Sequence, residues 1–216
     1  KNLIQGQQNI NEFRLFEIED FLSREEVNYN NNKNILNMTN QVIAVTGGGG
    51  SIGSELCNQL IKLKVKKLII IENHEYSLFK IQKYIETKYS KSNFSVFLAD
   101  IKDQKTIQNI LIDNKVDIVF HAAAYKHVEM LQTNIYSAMY NNVLGTYNTL
   151  EASRNANVNK FVLISTDKAV SPSNIMGATK RFSEILVSSK SNSLFEKHAL
   201  TTSIVRFGNV LGSKGS

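Results

Sequence analysis

The 216-residue sequence predicts an α/β fold in which one doubly wound parallel sheet carries helices on both faces. Three observations predict it. Short β-branched runs recur and are apolar throughout, segments with helical periodicity separate them, and a glycine-rich turn follows the first run. Because both faces of such strands are apolar, both must be covered, which is typical of parallel sheets. The six runs are residues 42–45, 68–71, 94–98, 118–120, 161–164 and 203–205.

The chain divides into two regions at residue 40. Residues 1–40 are polar and end in the Asn-rich stretch NYNNNKNILNMTN, which is typical of a loose linker. Within this region, FRLFEIEDFLSREEV has enough apolar side chains to form an ordered arm. Residues 41–216 are predicted to form the sheet domain, since this length suffices for one well-buried core but not for two ordinary domains.

Composition excludes several classes of protein. The net charge of +6 allows an anionic partner, but the lysines are dispersed, and KLKVKKL (residues 62–68) has no interleaved aromatics, so we expect no nucleic acid. The single cysteine, Cys57, excludes an internal disulfide and fits a reducing cytoplasm; we expect it to be buried in a helix. No apolar run is long enough to span a bilayer, so we expect membrane contact only through segments outside this chain.

The first strand leads into VTGGGGSIGSEL, which fits two glycine templates. Gly48, Gly50 and Gly53 match G-x-G-x-x-G, and Gly47, Gly50 and Gly53 match T-G-x-x-G-x-x-G. In both, glycines let the backbone approach a pyrophosphate at the amino end of the next helix. That helix has a predicted apolar stripe of Ile52, Leu56, Leu60 and Leu63. The predicted cofactor-binding residues here are Thr46, Gly47, Gly50, Ser51, Ile52 and Gly53.

An acidic residue ends the second predicted strand. Glu72 follows Gly53 by 19 positions, where a carboxylate can accept hydrogen bonds from ribose hydroxyls and repel a 2′-phosphate. Residues 73–79 contain no Arg or Lys, although they include His74. The pattern therefore favours NAD over NADP as the cofactor.

The next strand ends extend the predicted cofactor site. Asp100 and Ile101 follow the third strand, where they could bracket an adenine ring. Small side chains follow the fourth strand, where either a passing cofactor or tight packing would require them; they are Ala122, Ala123 and Ala124. His121 and His127 lack a set of metal-ligand partners, so we interpret them as structural, with substrate contact as the alternative, and expect no metal site.

In combination these motifs resemble the extended short-chain dehydrogenase/reductase superfamily, which also has an Asn at the place of Asn142 in NNVLGT and a helical lysine after the fifth strand. More narrowly, TGGGGSIGSEL, HAAAYKHVEML, STDKAV, NIMGATKR and RFGNVLGSKGS are similar to the polysaccharide-biosynthesis nucleotide-sugar 4,6-dehydratases that act on UDP-N-acetylglucosamine. The resemblance runs from about Phe13 to Ser216.

This resemblance implies roles for five residues. Met176 stands where the superfamily's Tyr-x-x-x-Lys pair has its tyrosine, and the large, membrane-associated dehydratase branch has methionine there. Lys180 would hold the nicotinamide ribose. Thr166 would donate to the C4 oxygen of the sugar, Asp167 would be the acid at C6, and Lys168 the base at C5. The base for C4 oxidation stays open between Thr166, a water and a relay to Lys180.

Asp167 and Lys168 start in the wrong protonation states for these roles, because free side chains of these types have pKa values of about 3.9 and about 10.4. A tight ion pair would hold both in those states, so we predict that they do not pair tightly. Consecutive strand side chains point to opposite faces, so both can reach one sugar only if the strand has ended at Asp167.

The resemblance also implies a UDP-sugar substrate. Lys126, Arg206 and Asn209 lie near strand ends and could meet its phosphates, with core packing as the alternative for Asn209; Asn142 is a further candidate. The family continues into a carboxyl-terminal substrate lobe that is largely missing here. We expect a cytoplasmic homo-oligomer, on the inner membrane when full-length, feeding glycan synthesis. Alternatives are another nucleotide-sugar enzyme, such as a 4-epimerase, or a silent NAD-binding domain.

Overall fold

All six predicted strands are present in the computed structural model, which describes residues 38–190 and 200–210. They form one parallel sheet in the order β3-β2-β1-β4-β5-β6, so the Rossmann-like, doubly wound fold is confirmed. The strand order reverses between β1 and β4, and folds of this class bind ligands beyond the carboxyl ends of the strands at that place. The strands are β1 (Val42–Thr46), β2 (Lys67–Glu72), β3 (Phe94–Leu98), β4 (Ile118–His121), β5 (Lys160–Thr166) and β6 (Thr201–Phe207).

Helices alternate with the strands. They are α1 (Ser51–Lys62), α2 (Glu75–Lys88), α3 (Gln104–Asp113), α4 (Val128–Thr133), α5 (Ile135–Ala138), α6 (Gly145–Asn155) and α7 (Ile175–Lys190). A π-helical turn, Met139–Leu144, joins α5 to α6, and a 3₁₀ turn, Asp167–Ala169, follows β5. The predicted arm, residues 1–40, lies outside the described residues except for its last three positions, and so does the end of the chain from residue 211.

The core has two layers, one on each face of the sheet. Ile43 and Val45 of β1 pack with buried residues of α1 and α2, whereas Val42 and Ala44 pack with residues of α3, α6 and α7. This alternation follows from the two-residue period of a strand, and it explains why the central strand β1 is buried at every position.

The predicted apolar stripe of α1 is wrong in part. Of its four residues only Leu60 is fully buried, while Ile52, Leu56 and Leu63 are partly exposed. The buried face instead consists of Gly53, Cys57, Asn58, Leu60 and Ile61. The helix is turned this way because its Gly53 lies against the glycine turn, a contact that periodicity does not reveal. Cys57 is buried as predicted, and burial raises the pKa of its thiol to about 12.

Three helices end in the same way. Lys64, Lys115 and Asn157 have φ values of 55°, 51° and 55° just after α1, α3 and α6. In each case the following valine donates its N–H to a carbonyl of the last helical turn and is itself buried. These are Schellman motifs with their hydrophobic contact, and they lead the chain from each helix into the next strand.

Candidate active site

The glycine turn forms a close cradle at the end of β1. Gly47 has a φ of 68°, and a Cβ there would lie 2.7 Å from the backbone of Ala123. A Cβ on Gly53 would lie 2.0 Å from the carbonyl oxygen of Gly47. The left-handed residue is thus the first glycine of the T-G-x-x-G-x-x-G template, which the structure favours. Gly50 caps α1, so Ser51 and Ile52 lie in its first turn, where backbone N–H groups can bind a pyrophosphate.

Glu72 lies beside this turn. Its Oε2 accepts the N–H of Gly49 at 3.0 Å, and its Oε1 accepts the N–H groups of Asn73 at 3.0 Å and His74 at 3.1 Å. The side chain therefore ties the glycine turn to the end of β2. This is a structural role that the sequence spacing does not predict.

Asp100 and Ile101 lie in different environments in the structure. Asp100 accepts the N–H of Lys102 at 2.9 Å and pairs with the Lys102 ammonium at 3.1 Å. Burial raises the pKa of Asp100, but the hydrogen bonds from Lys102 outweigh burial and lower it. Ile101 is 4% exposed and packs on Gly145 of α6, so its side chain lies in the core, in contrast to the prediction that it brackets an adenine.

A buried hydrogen-bonded chain joins β1 to the π-helical turn. The hydroxyl of Thr146 donates to the Asn142 carbonyl at 2.6 Å, so its oxygen accepts from Nε2–H of His121 at 3.1 Å. The Nδ1 of His121 is then an acceptor, and it accepts a hydrogen bond from the Thr46 hydroxyl at 2.8 Å. Burial, and next the charge of Lys180, lower the pKa of His121 to about 3. The histidine is neutral and structural, and Thr46 is fully buried, with its hydroxyl bound to His121 and its carbonyl bound to the N–H of Ala122.

The catalytic candidates lie on the 3₁₀ turn. β5 ends at Thr166, which confirms that the strand has stopped before Asp167. The prediction that Asp167 and Lys168 do not pair is wrong, because Nζ of Lys168 lies 3.2 Å from Oδ1 of Asp167. The turn brings both partly exposed side chains to one side, and Nζ also donates to Oδ1 of Asn209 at 3.1 Å. A hydrogen bond from Thr166, and then one from Lys168, lower the pKa of Asp167.

Met176 and Lys180 lie one turn apart on α7. Met176 is 5% exposed and packs with Leu131 and Ala138 in a small apolar cluster. Nζ of Lys180 donates to the carbonyl oxygen of Ile164 on β5 at 2.8 Å. Burial lowers the pKa of Lys180 to about 8, against an opposing effect of the Glu184 carboxylate.

The four candidate substrate-binding residues differ in their exposure and in their hydrogen bonds. Lys126 and Asn209 are exposed, and Oδ1 of Asn209 accepts from Nζ of Lys168. Asn142 is 1% exposed, and its amide holds the backbone N–H and carbonyl of Tyr125, so it has a structural role here, and its substrate contact stays a prediction. Arg206 already makes a bidentate pair with Glu184, at 2.8 and 2.7 Å, so its fork is not open to a phosphate.

Glu184 is the residue that sequence reasoning missed. Its position four residues after Lys180 places both on one side of α7, and it lies in the apolar stretch EILV. An acid among apolar residues was the available signal, since buried carboxylates need partners.

The comparison with protein families decides the affiliation. The polysaccharide biosynthesis protein family matches residues 43–216. This chain belongs to that family. The chain is 40% identical over 218 residues to the capsular polysaccharide biosynthesis protein CapD of Staphylococcus aureus, covering 100% of this chain and 36% of that protein.

Two further relatives of this polysaccharide biosynthesis protein have enzyme names. The UDP-N-acetylglucosamine 4,6-dehydratase (inverting) of Campylobacter jejuni is 34% identical, over 86% of this chain and 52% of that protein. A UDP-glucose 4-epimerase of Rickettsia massiliae is 32% identical, over 82% and 51%. The chain thus spans between about a third and about a half of these relatives.

A solved structure gives the same fold. Pen from Bacillus thuringiensis superposes with a TM-score of 0.75 at 32% identity, over 83% of this chain and 53% of that one. Within residues 38–190 and 200–210, no helix is long and apolar enough to cross a membrane. In the same residues, no group of three His, Cys, Asp or Glu side chains is arranged to hold a metal ion.

Proposed function

We propose that the protein containing this chain is a nucleotide-sugar 4,6-dehydratase that acts on UDP-N-acetylglucosamine for surface polysaccharide or glycoprotein synthesis. The observation that carries the proposal is the 3₁₀ turn, where Thr166, Asp167 and Lys168 lie together at the carboxyl end of β5. The proposed substrate is supported by the 34% identity of the chain to a protein named as a UDP-N-acetylglucosamine 4,6-dehydratase. The proposal includes a cytoplasmic homo-oligomer, held at the inner membrane by segments outside this chain.

The cofactor of this reaction is a nicotinamide dinucleotide, for which the glycine cradle is suited. Side chains at Gly47 or Gly53 would collide with the backbone of Ala123 or of Gly47, so glycine at both positions allows the tight turn that precedes a pyrophosphate site. A nicotinamide bound there would supply the hydride acceptor for oxidation at C4 and the hydride donor for reduction at C6. Glu72 lies against Gly49, and its carboxylate would repel a 2′-phosphate, so NAD is favoured over NADP.

The chain's own residues supply the proton transfers. Thr166, whose hydroxyl donates to Asp167 in the free chain, turns to donate its hydrogen bond to the C4 oxygen. Once C4 is a ketone, Lys168 removes the acidified C5 proton, and Asp167 protonates the C6 hydroxyl, which leaves as water. C5 regains a proton that comes from solvent, directly or through the exchangeable protons of Lys168, as C6 is reduced, so the net change is loss of one water. Lys180 would hold the nicotinamide ribose once its ammonium turns from the Ile164 carbonyl, and the C4 base is Thr166, a water or a relay to Lys180.

The Asp167–Lys168 pair must separate before these steps. In the free chain the pair favours a carboxylate and an ammonium, the opposite of what an acid and a base require. A sugar seated over the turn would exclude water and favour the neutral forms of both groups. Substrate binding is therefore coupled to activation of the two side chains.

A 4-epimerase is the second candidate, because one relative at 32% identity has that name. Epimerases of the superfamily that this chain resembles use the tyrosine that Met176 replaces, and methionine cannot transfer a proton. A silent NAD-binding role is the third candidate, and it requires only the glycine cradle.

The longest natural protein that contains this chain, incubated with UDP-N-acetylglucosamine and catalytic NAD, tests the proposal by mass spectrometry of the nucleotide sugar. A 4-keto product lighter by one water is expected. Unchanged mass with an inverted C4 would establish the epimerase. Unchanged mass and configuration, with NAD bound, would indicate the silent domain.

A further inference from the structure

Glu184 on α7 is saturated with hydrogen bonds. Its side chain is 2% exposed and accepts from Oγ of Ser165 at 2.7 Å, from Nη1 of Arg181 at 3.0 Å, and from Nε and Nη2 of Arg206 at 2.8 and 2.7 Å. Burial alone would raise the pKa of Glu184, but the bonds from Arg206, Ser165 and Arg181 lower it to about 2. The group is therefore a buried carboxylate at neutral pH.

Glu184 and Lys180 hold consecutive residues of β5. Lys180 donates to the carbonyl of Ile164, and Glu184 accepts from the side chain of Ser165, which directly precedes Thr166. Arg206 lies opposite Ser165 in the register of β5 and β6, so the same carboxylate also fixes β6. The helical turn from Lys180 to Glu184 thus holds both strands next to the 3₁₀ turn that begins at Asp167.

We propose that Glu184 is a positioning residue that fixes α7 against β5 and β6 and sets the electrostatic environment of Lys180, one helical turn away. The idea that Lys180 serves a cofactor rests on the proposed function, but the positioning itself does not. Removing the Glu184 charge should leave burial unopposed, so Lys180 would lose its proton at lower pH. Removing Arg206 instead deletes the same ion pair but keeps the negative charge beside Lys180.

Other charged groups lie on the elements that pack against α7. His121 on β4 is neutral above its pKa of about 3, so it contributes no charge at neutral pH. Asp167 and Lys168 pair with each other on the 3₁₀ turn, and Glu129 of α4 is exposed. Glu184 is accordingly the group whose charge raises the pKa of Lys180.

NMR titration of the chain, with ¹³C at the ε-carbon of lysine, measures this directly, and Lys180→Arg assigns the resonance. Lys180 should titrate near pH 8 in the unsubstituted chain. Glu184→Gln should lower that midpoint by about one pH unit or more, and Arg206→Gln should leave it unchanged or raise it. Equal shifts of the same sign in both variants, or no shift in Glu184→Gln, would overturn the proposal.

A second variant covers a failure of Glu184→Gln to fold, which an unpaired arginine could cause. Glu184→Gln combined with Arg206→Gln leaves a neutral pair, and Lys180 should still titrate below its midpoint in the unsubstituted chain. An unshifted midpoint in the double variant would contradict the proposal. No substrate is needed, so this result is independent of the dehydratase assay.

Discussion

Lys168 and Asp167 form an ion pair, with Nζ 3.2 Å from Oδ1, at the point where β5 ends. The pair exists because the chain turns into a 3₁₀ conformation at Asp167, so neighbours that a strand would point apart lie on one side. In the proposed reaction the two groups act on adjacent carbons of one sugar. In the free chain, therefore, the proposed acid and the proposed base are paired with each other.

Substitutions at this pair should slow catalysis without removing the cofactor site. Asp167→Asn and Lys168→Met should each lower the rate of 4-keto product formation about 10²- to 10⁴-fold, because each removes one proton transfer. The double variant should lose less than the product of the two effects, since both groups serve one elimination. Lys91→Met, an exposed site before β3 at the opposite sheet edge, is the control. A rate of Lys168→Met equal to that control would exclude the base role.

The glycine cradle predicts unequal effects of two alanine substitutions. Gly53→Ala places a Cβ 2.0 Å from the Gly47 carbonyl oxygen, whereas Gly50→Ala places one 3.3 Å from the same atom. Gly53→Ala should lower the free energy of unfolding by about 1–3 kcal/mol and weaken NAD binding, because the backbone must shift. Urea unfolding and calorimetric titration with NAD check this. Equal destabilisation by the two substitutions would contradict this, because it would show that the close approach of Gly53 to the Gly47 carbonyl does not limit the side chain at position 53.

Buried His121 predicts sensitivity of the fold to acid. Its pKa is about 3 when folded and 6.5 ordinarily, so the unfolded chain binds more protons between these values. The contribution of neutral His121 to the free energy of unfolding is fully present above pH 6.5. Below pH 6.5 this contribution falls by at most about 1.4 kcal/mol per pH unit. Urea unfolding at pH 7 and pH 5 measures this loss.

Two substitutions isolate that histidine. His121→Gln should be less stable at pH 7 but should lose less stability on going to pH 5. The exposed His127→Gln should keep the acid sensitivity of the unsubstituted chain. Identical pH dependence in both variants would place the sensitivity elsewhere.

The surroundings of Met176 predict how α7 tolerates change. Met176 packs with Leu131 and Ala138 and is 5% exposed. Met176→Leu conserves volume and should cost less than about 1.5 kcal/mol of unfolding free energy, whereas Met176→Tyr adds a ring and a hydroxyl and should cost about 1–3 kcal/mol. Thermal and urea unfolding compare the two. A tyrosine variant as stable as the leucine variant would show that the cluster has room for the superfamily's usual residue.

The inner strands were predictable from sequence because burial on both faces makes them apolar, as in β1 and β2. Each apolar run became a strand of the sheet, and Glu72 ends β2 as its position indicated. The rotation of α1 was not predictable, because it depends on the backbone contact of Gly53 with Gly47, which joins separate turns of the chain.

The polar partners were the least predictable part of the site. Arg206 has a residue type suited to phosphate, but its strand register places it opposite Ser165, next to Glu184. Asn142 lies in a motif of the family, yet it folds inward to hold the backbone of Tyr125. Such choices depend on which groups meet across the sheet, and a one-dimensional pattern does not contain that information.

The most direct test of the dehydratase is to run the reaction in D₂O and record the mass and NMR spectrum of the nucleotide sugar. The account predicts a 4-keto product that has lost one water and gained one solvent deuterium at C5, because the C5 proton is removed and replaced while hydride moves from C4 to C6. A sugar of unchanged mass, with no deuterium at C5, would contradict it.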